Sequence, residues 1–210
     1  MIRIAQVLFA TFLTFSGSAW AQDVVQADRD HYEDCMVLAK SHPKDALENA
    51  KVWLRVGGGF AARHCGLAAL MTLKLYDEAA QGFARLGQEF EGNDAVKTSL
   101  FIQSAKAWLG ANKPELARQN AAAALTIEPE NAEALLNRAK AFSLLGKFWE
   151  AADDFTRVLY HNPDSTDILI LRGLAYRQIG AGELALEDFR RALSFEPENT
   201  EAQTYLDAQQ

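Results

Sequence analysis

Apolar residues recur every three to four positions along the chain, in stretches of about a dozen residues that short polar turns separate. This spacing puts the apolar side chains on one face of a helix, so each stretch predicts an amphipathic α-helix. Five prolines and 13 glycines among 210 residues, against abundant Ala and Leu, favour helix over strand. The pattern therefore predicts an all-α protein.

The pattern repeats with a period of 34 residues in the second half of the chain. Pro129, Pro163 and Pro197 mark the repeat, and each would end a second helix and set the turn into the next unit. Positions 8 and 20 of each unit are small, which lets two helices approach closely. Position 11 is aromatic and fills the space between neighbouring units. The aligned units are 98–131, 132–165 and 166–199.

A glycine lies near the end of each predicted first helix in these units. A left-handed cap is favoured there, and glycine adopts it without steric cost. The three glycines are Gly110, Gly146 and Gly180.

A 34-residue helix-turn-helix period with these small, aromatic and proline positions resembles the tetratricopeptide repeat (TPR). The resemblance extends upstream to a unit at 60–97, which lacks the proline, and to a degenerate unit at 27–59, where Trp53 replaces a usual small residue. Residues 200–210 predict a short capping helix that covers the last hydrophobic edge. The resemblance implies a right-handed α-solenoid of about five helix-turn-helix units with that helix at its C-terminal end.

The first 21 residues have the pattern of a secretory signal. Arg3 gives a positive start, an apolar run of about a dozen residues follows, and Ala19-Trp20-Ala21 has the small residues of a cleavage site. A retained membrane anchor is the alternative, but the run is shorter than the roughly 20 residues that span a bilayer. We predict a signal peptide at 1–21, cleavage after Ala21, no stable membrane anchor afterwards, and export to the bacterial periplasm.

Charge and motifs exclude several classes of function. The formal net charge is −7 and the chain has no basic run, so nucleic acid and anionic lipid are not expected as partners. Gly57-Gly58-Gly59 is not followed by Lys-Ser/Thr, which favours a turn between units over a phosphate-binding loop. Nucleophile, metalloprotease and haem-attachment motifs are absent from the sequence. We therefore predict no enzymatic activity and no cofactor.

Cys35 and Cys65 are the two cysteines, and in an oxidising compartment two cysteines of a small protein are expected to pair. The TPR register puts them on first helices of successive units, which pack side by side, so a disulfide would fasten the most degenerate joint. Two alternatives stay open. The cysteines are reduced and buried, or they form a metal or redox site with His31 and His64, although His64 and Cys65 diverge on a helix.

The resemblance also implies that the first helices line a concave groove for a partner peptide or domain. The corresponding positions here mix apolar residues with three cations, which suits an extended or helical peptide with apolar anchors and a carboxylate. The alternative is that the cations are solvated, or paired with Glu133 and Asp167. The predicted partner-binding residues are His64, Met71, Ile102, Lys106, Leu109, Leu136, Lys140, Ser143, Ile170, Leu174 and Arg177.

These observations predict a non-enzymatic interaction scaffold or adaptor of the bacterial cell envelope, with an envelope protein or peptide as its partner. A metal- or redox-linked envelope protein that uses His31, Cys35, His64 and Cys65 is the alternative. A homo-oligomer that assembles through exposed repeat faces is a third class.

Overall fold

The computed structural model describes residues 18–208, with side chains from Asp28 onward. The predicted signal peptide falls almost wholly outside these residues. The described chain forms helices and turns without a strand, and none of its helices is both long and apolar enough to cross a bilayer. The helices are α1 (Ser18–Ser41), α2 (Pro43–Arg55), α3 (Gly59–Thr72), α4 (Tyr76–Glu89), α5 (Asp94–Gly110), α6 (Pro114–Ile127), α7 (Ala132–Leu144), α8 (Phe148–His161), α9 (Thr166–Gln178), α10 (Gly182–Phe195) and α11 (Thr200–Asp207).

The helices follow one another as five pairs, and α11 comes last. Helices α5 and α6, α7 and α8, and α9 and α10 pack extensively within their pairs, whereas α3 packs more extensively against α2 than against α4. The predicted all-α array of paired helices is confirmed. The unit boundaries stay predictions, and α3 and α5 begin at Gly59 and Asp94, ahead of the predicted unit starts at 60 and 98.

One left-handed residue ends the first helix in each of the last four pairs. Gly146 and Gly180 have φ of 72° and 78°, and the equivalent residues Lys74 and Asn112 have φ of 59° and 55°. Gly110, which we expected in this role, is instead the last residue of α5 and is followed by Ala111 as the C-cap. Asparagine tolerates the left-handed region better than most residues, so Asn112 provides the cap two residues later.

A buried phenylalanine occupies the same position in three units, and in the last unit it explains the small residue opposite. Phe83, Phe155 and Phe189 are all fully buried. A Cβ added at Gly173 would lie 2.7 Å from Phe189 Cε1, so the helices at that crossing leave room only for glycine. Ala139, at the same position of the preceding unit, is also fully buried.

Two further features join neighbouring elements in the second half of the chain. Arg157 donates from Nη2 to the Pro129 carbonyl at 2.7 Å, and Arg191 repeats this contact with the Pro163 carbonyl at 2.7 Å. At the C-terminal end, Tyr205 of α11 stacks on Phe189 with a centroid distance of 5.4 Å. Helix α11 therefore covers the last hydrophobic surface of the array.

Candidate functional site

The first helix of each pair contributes most residues of three grooves, which together we call the first-helix face. Two grooves are lined mainly by α1, α3 and α5, and the third mainly by α7 and α9. Helix α1 packs directly against α3, and α5 against α7. These neighbouring first helices form the surface on which the sequence predicts a partner.

A disulfide joins α1 to α3 within this face. Cys35 and Cys65 are bonded through their sulfurs, their Cα atoms are 6.1 Å apart, and both residues are buried. The predicted disulfide is confirmed. The bond closes a loop of 30 residues and fastens the first two helix pairs to each other.

The disulfide uses both sulfurs, so neither Cys35 nor Cys65 has a thiolate left to bind a metal ion in this structure. His31 instead stacks on Trp53 at a centroid distance of 4.2 Å and bonds to Asn49 Oδ1 at 3.0 Å. His64 is hydrogen-bonded to other side chains. Across the described residues, no three His, Cys, Asp or Glu side chains are grouped as metal ligands.

One groove between α1, α3 and α5 has a volume of about 660 Å³, and we call it the N-terminal groove. Its surface is mostly apolar, and Phe60, Val96 and Leu100 contribute much of it. Volumes of this size are typical of sites for small molecules or side chains of a bound peptide. The remaining lining residues are Asp28, Arg29, Tyr32, Ala61, His64, Ala95, Ser99 and Gln103.

His64 connects the three helices of the N-terminal groove by hydrogen bonds. Its Nδ1 is 2.9 Å from Tyr32 Oη on α1, and its Nε2 is 3.2 Å from Gln103 Nε2 on α5. Burial lowers the pKa of His64, and the hydrogen bond with Gln103 opposes this shift. Burial also raises the pKa of Tyr32. At neutral pH the imidazole is therefore uncharged and the phenol protonated.

Two smaller grooves extend the first-helix face. One, of about 230 Å³, includes Met36, Met71 and Lys106. The other, of about 550 Å³, lies between α7 and α9, and we call it the C-terminal groove. Leu136 and Lys140 contribute to it.

The three predicted cations have different environments. Lys106 forms an ion pair with Glu133, and both side chains are half exposed, which agrees with the alternative that a carboxylate on the same face neutralises the cation. Arg177 lies over the Tyr205 ring at 5.0 Å from its centroid, so this cation already has a contact with the capping helix. Lys140 is exposed and has no ion-pair partner among the described side chains.

Several predicted apolar contacts are less accessible than we expected. Ile102 and Ile170 are only 5% and 3% exposed because they pack in the hydrophobic core, so each offers little area to a partner. His64 is 9% exposed. The Ser143 hydroxyl donates to the Ala139 carbonyl at 3.1 Å. The residues Met71, Leu109, Leu136 and Leu174 are partly buried.

Sequence reasoning missed Tyr32, Phe60 and Gln103. The repeat register assigned Ile102 to the groove, but Ile102 is buried in the core and the next residue of α5, Gln103, lines the groove instead. A signal for Tyr32 was present, because it lies one helical turn before Cys35 and His64 is adjacent to Cys65. The predicted disulfide would therefore have brought Tyr32 and His64 together.

Comparison with known proteins agrees with this architecture. A family model, Tetratricopeptide repeat, matches residues 132–165. The solved structure of YrrB, described as a TPR protein with an unusual peptide-binding site, is 18% identical, with a TM-score of 0.70 over 90% of this chain and 96% of YrrB. MamA from Desulfovibrio magneticus RS-1 is 16% identical, with a TM-score of 0.71 over 83% of this chain and 96% of that one.

A shorter structure is also similar. The first TPR of Spaghetti (RPAP3), bound to the HSP90 peptide SRMEEVD, is 26% identical, with a TM-score of 0.51 over 53% of this chain and 89% of that domain. No curated protein sequence matches the chain. The repeat period, the paired helices and these structural similarities lead to one conclusion: the chain has the fold of tetratricopeptide repeat proteins, and residues 132–165 match that family's model.

Proposed function

We propose that this protein is an exported, non-enzymatic scaffold of the bacterial cell envelope that holds a partner peptide or protein domain on its first-helix face. The observation that carries the proposal is the set of mostly apolar grooves on that face, next to the exposed cation Lys140. Apolar pockets with a few polar groups suit peptide side chains. The Spaghetti (RPAP3) domain, which is bound to an HSP90 peptide, supports a peptide as the class of partner.

Export is supported by two features of the chain. The Ala19-Trp20-Ala21 sequence follows an apolar run typical of a signal peptide, and the Cys35–Cys65 disulfide suits an oxidising compartment. Fractionation of the native host, followed by N-terminal sequencing, tests this part. We expect the protein in the periplasmic fraction with Gln22 as its first residue. An uncleaved protein in the cytoplasm would refute export.

Partner binding is tested by affinity capture from envelope extract with two charge-matched variants. Lys140→Glu reverses the charge on the first-helix face, whereas Lys44→Glu reverses an exposed charge at the start of α2. We expect a partner that the wild type and Lys44→Glu retain and Lys140→Glu loses. A partner retained equally by both variants, or no partner at all, would count against this surface.

A further inference from the structure

An arginine–aspartate pair lies between the second helices at the C-terminal end of the array. Arg172 of α9 donates to both oxygens of Asp188 on α10 at 2.8 and 2.6 Å, and its Nη1 donates to Thr156 Oγ1 on α8 at 3.0 Å. Arg138 and Asp154, which occupy the same positions of the preceding unit, form the same bidentate pair at 2.7 Å. The Arg172 side chain therefore occupies the space between α8 and α10.

Both of these positions are glycine in the unit that contains α3 and α4. Gly66 aligns with Arg138, and Gly82 aligns with Asp154. Leu67 fills only the space directly against Gly82, where a Cβ would be 2.0 Å from Leu67 Cδ2. Without the two longer side chains, a groove of about 260 Å³ stays open between α2, α3 and α4, on the second-helix side of the array. We call it the outer groove.

The wall of the outer groove is mostly apolar. Leu47, Ala50 and Leu54 form one face of α2 over two helical turns, a length of about 10 Å. Leu67 and Leu70 contribute from α3. Leu54 is 48% exposed, so a chain of methylene groups lying along this face would remove apolar surface from water.

Three cations line the outer groove, and none of the described residues that line it is acidic. Lys51 pairs with Glu48 and Arg63 pairs with Glu89, each at 2.7 Å, so a carboxylate already neutralises these two charges. Arg85 has neither an ion pair nor a hydrogen bond among the described residues. The groove therefore combines an apolar wall with one guanidinium that is available to an anion.

The residues equivalent to Arg85 in later units do have partners. Arg157 and Arg191 align with Arg85, and each donates to a proline carbonyl of the preceding unit. Arg157 Nη1 also lies 3.7 Å from Asp154 Oδ1. Because Gly82 takes the place of that aspartate, an external carboxylate beside Arg85 would restore the pairing that Asp154 gives to Arg157.

We propose that the outer groove binds a free fatty acid. The alkyl chain lies along α2 against Leu47 and Leu54, and the carboxylate accepts hydrogen bonds from the Arg85 guanidinium. A neutral chain would leave the guanidinium unpaired, and a small hydrophilic anion would leave the leucines in water. The site does not use the first-helix face, so it goes beyond the proposed scaffold function and does not depend on it.

Decanoate, used below its micellar concentration at neutral pH, is the probe for this site. Its titration into the purified protein, followed by ¹⁵N–¹H NMR, should shift backbone signals of α2, α3 and α4 around the outer groove. Decyltrimethylammonium has the same chain with a cationic head group and should bind at least ~10-fold more weakly. Octanoate, which is two methylenes shorter, should bind about tenfold more weakly. Shifts confined to α5–α11, or equal affinity for the two head groups, would overturn the proposal.

Two variants test the two halves of the site. Arg85→Gln removes the guanidinium and should weaken decanoate binding at least ~10-fold, the usual effect of one charged hydrogen bond. Leu54→Glu puts a carboxylate on the apolar wall and should weaken it at least ~10-fold. Arg55→Gln and Val52→Glu make the same changes at exposed α2 residues outside the groove and should bind like the wild type. Wild-type affinity in both groove variants would refute the proposal.

Two other occupants of an apolar groove would give different results. A second copy of this chain would make the protein a dimer in analytical ultracentrifugation, and Leu54→Glu would make it monomeric. A protein partner would be represented by a peptide of alternating leucine and glutamate that shifts the signals of α2–α4 when decanoate does not. Either result would overturn the fatty-acid proposal. Neither affects the capture experiment with Lys140→Glu, which tests the scaffold function separately.

Discussion

The backbone of Gly82 on α4 lies so close to Leu67 on α3 that a Cβ at residue 82 would be 2.0 Å from Leu67 Cδ2. Leu67 occupies the position that is small in the later units, where Ala139 and Gly173 lie. The large side chain is accommodated because the facing residue is glycine. This unit has thus exchanged the large and small partners of one helix crossing.

Gly82→Ala should therefore destabilise the protein by about 2 kcal/mol, because the added methyl group overpacks the crossing. At an unhindered helical position the same change would stabilise by about 0.5–1 kcal/mol, so the sign of the effect is decisive. The free energy of unfolding from urea titration measures it. Combining Gly82→Ala with Leu67→Ala should show a favourable coupling. A stabilising Gly82→Ala would mean that Leu67 moves aside at no cost.

Arg172 and Asp188 form a buried ion pair that should be sensitive to removal of one partner. Arg172 donates from Nε and Nη2 to the two Asp188 oxygens at 2.8 and 2.6 Å, and the Asp188 side chain is 3% exposed. Asp188→Ala should cost about 3 kcal/mol, since it leaves a guanidinium buried without its carboxylate. Replacing both residues, as Arg172→Met with Asp188→Leu, should cost less than the single change.

The control for this pair is Glu187→Ala, an exposed neighbour on α10. It should change the free energy of unfolding by less than about 0.5 kcal/mol in the same urea titration. An Asp188→Ala protein as stable as this control would show that solvent reaches Arg172 in place of the carboxylate.

Reduction of the Cys35–Cys65 disulfide should loosen only one end of the array. The bond closes a loop of 30 residues, and a loop of that size contributes about 3 kcal/mol. Because repeat units contact only their neighbours, hydrogen exchange should accelerate in α1–α3 and stay unchanged in α7–α10. The Cys35→Ala/Cys65→Ala variant should match the reduced protein. Uniform acceleration along the chain would contradict this expectation.

The lowered pKa of His64 predicts a dependence of stability on pH. Well above pH 6.5, the ordinary pKa of histidine, the imidazole is neutral in both the folded and the unfolded protein, so stability does not depend on pH through this group. Below that value the unfolded chain takes up a proton more readily than the folded one, so the free energy of unfolding falls as the pH decreases toward the folded-state pKa. Thermal unfolding at pH 7.5 and 5.5 measures the difference.

His64→Gln should reduce this difference, whereas His42→Gln, at an exposed turn before α2, should preserve it. Equal pH dependence in the wild type and His64→Gln would show that other groups cause it.

The repeat pattern predicted the paired helices well because the residues that define it make the same helix contacts in several units. The proline, phenylalanine and small positions each reflect a crossing that is the same in several units, so three copies establish the register. The exchange of Leu67 with Gly82 was not predictable in this way. It is a compensation between two residues in a single unit, and each looks like a departure from the pattern when read alone.

The candidate site was predicted less completely than the fold. The grooves follow from side-chain directions, and the repeat register did not predict that Ile102 is buried while the adjacent Gln103 lines the groove. Tyr32 was missed because the first unit departs too far from the pattern for its groove positions to be assigned. The cysteine pairing, in contrast, depended only on which helices are neighbours.

The contacts between units have a consequence for how such a chain can change in length. The Arg157–Pro129 and Arg191–Pro163 hydrogen bonds each join two adjacent units. They are the same contact, repeated 34 residues further along the chain. Asn131 and Asn199 also cap their helices in the same way, accepting from the backbone nitrogens of Ala134 and Ala202. A duplicated copy of 166–199 would carry both halves of its own junction. Gene duplication could therefore lengthen this array without new compensating substitutions, provided that α11 still closes the end.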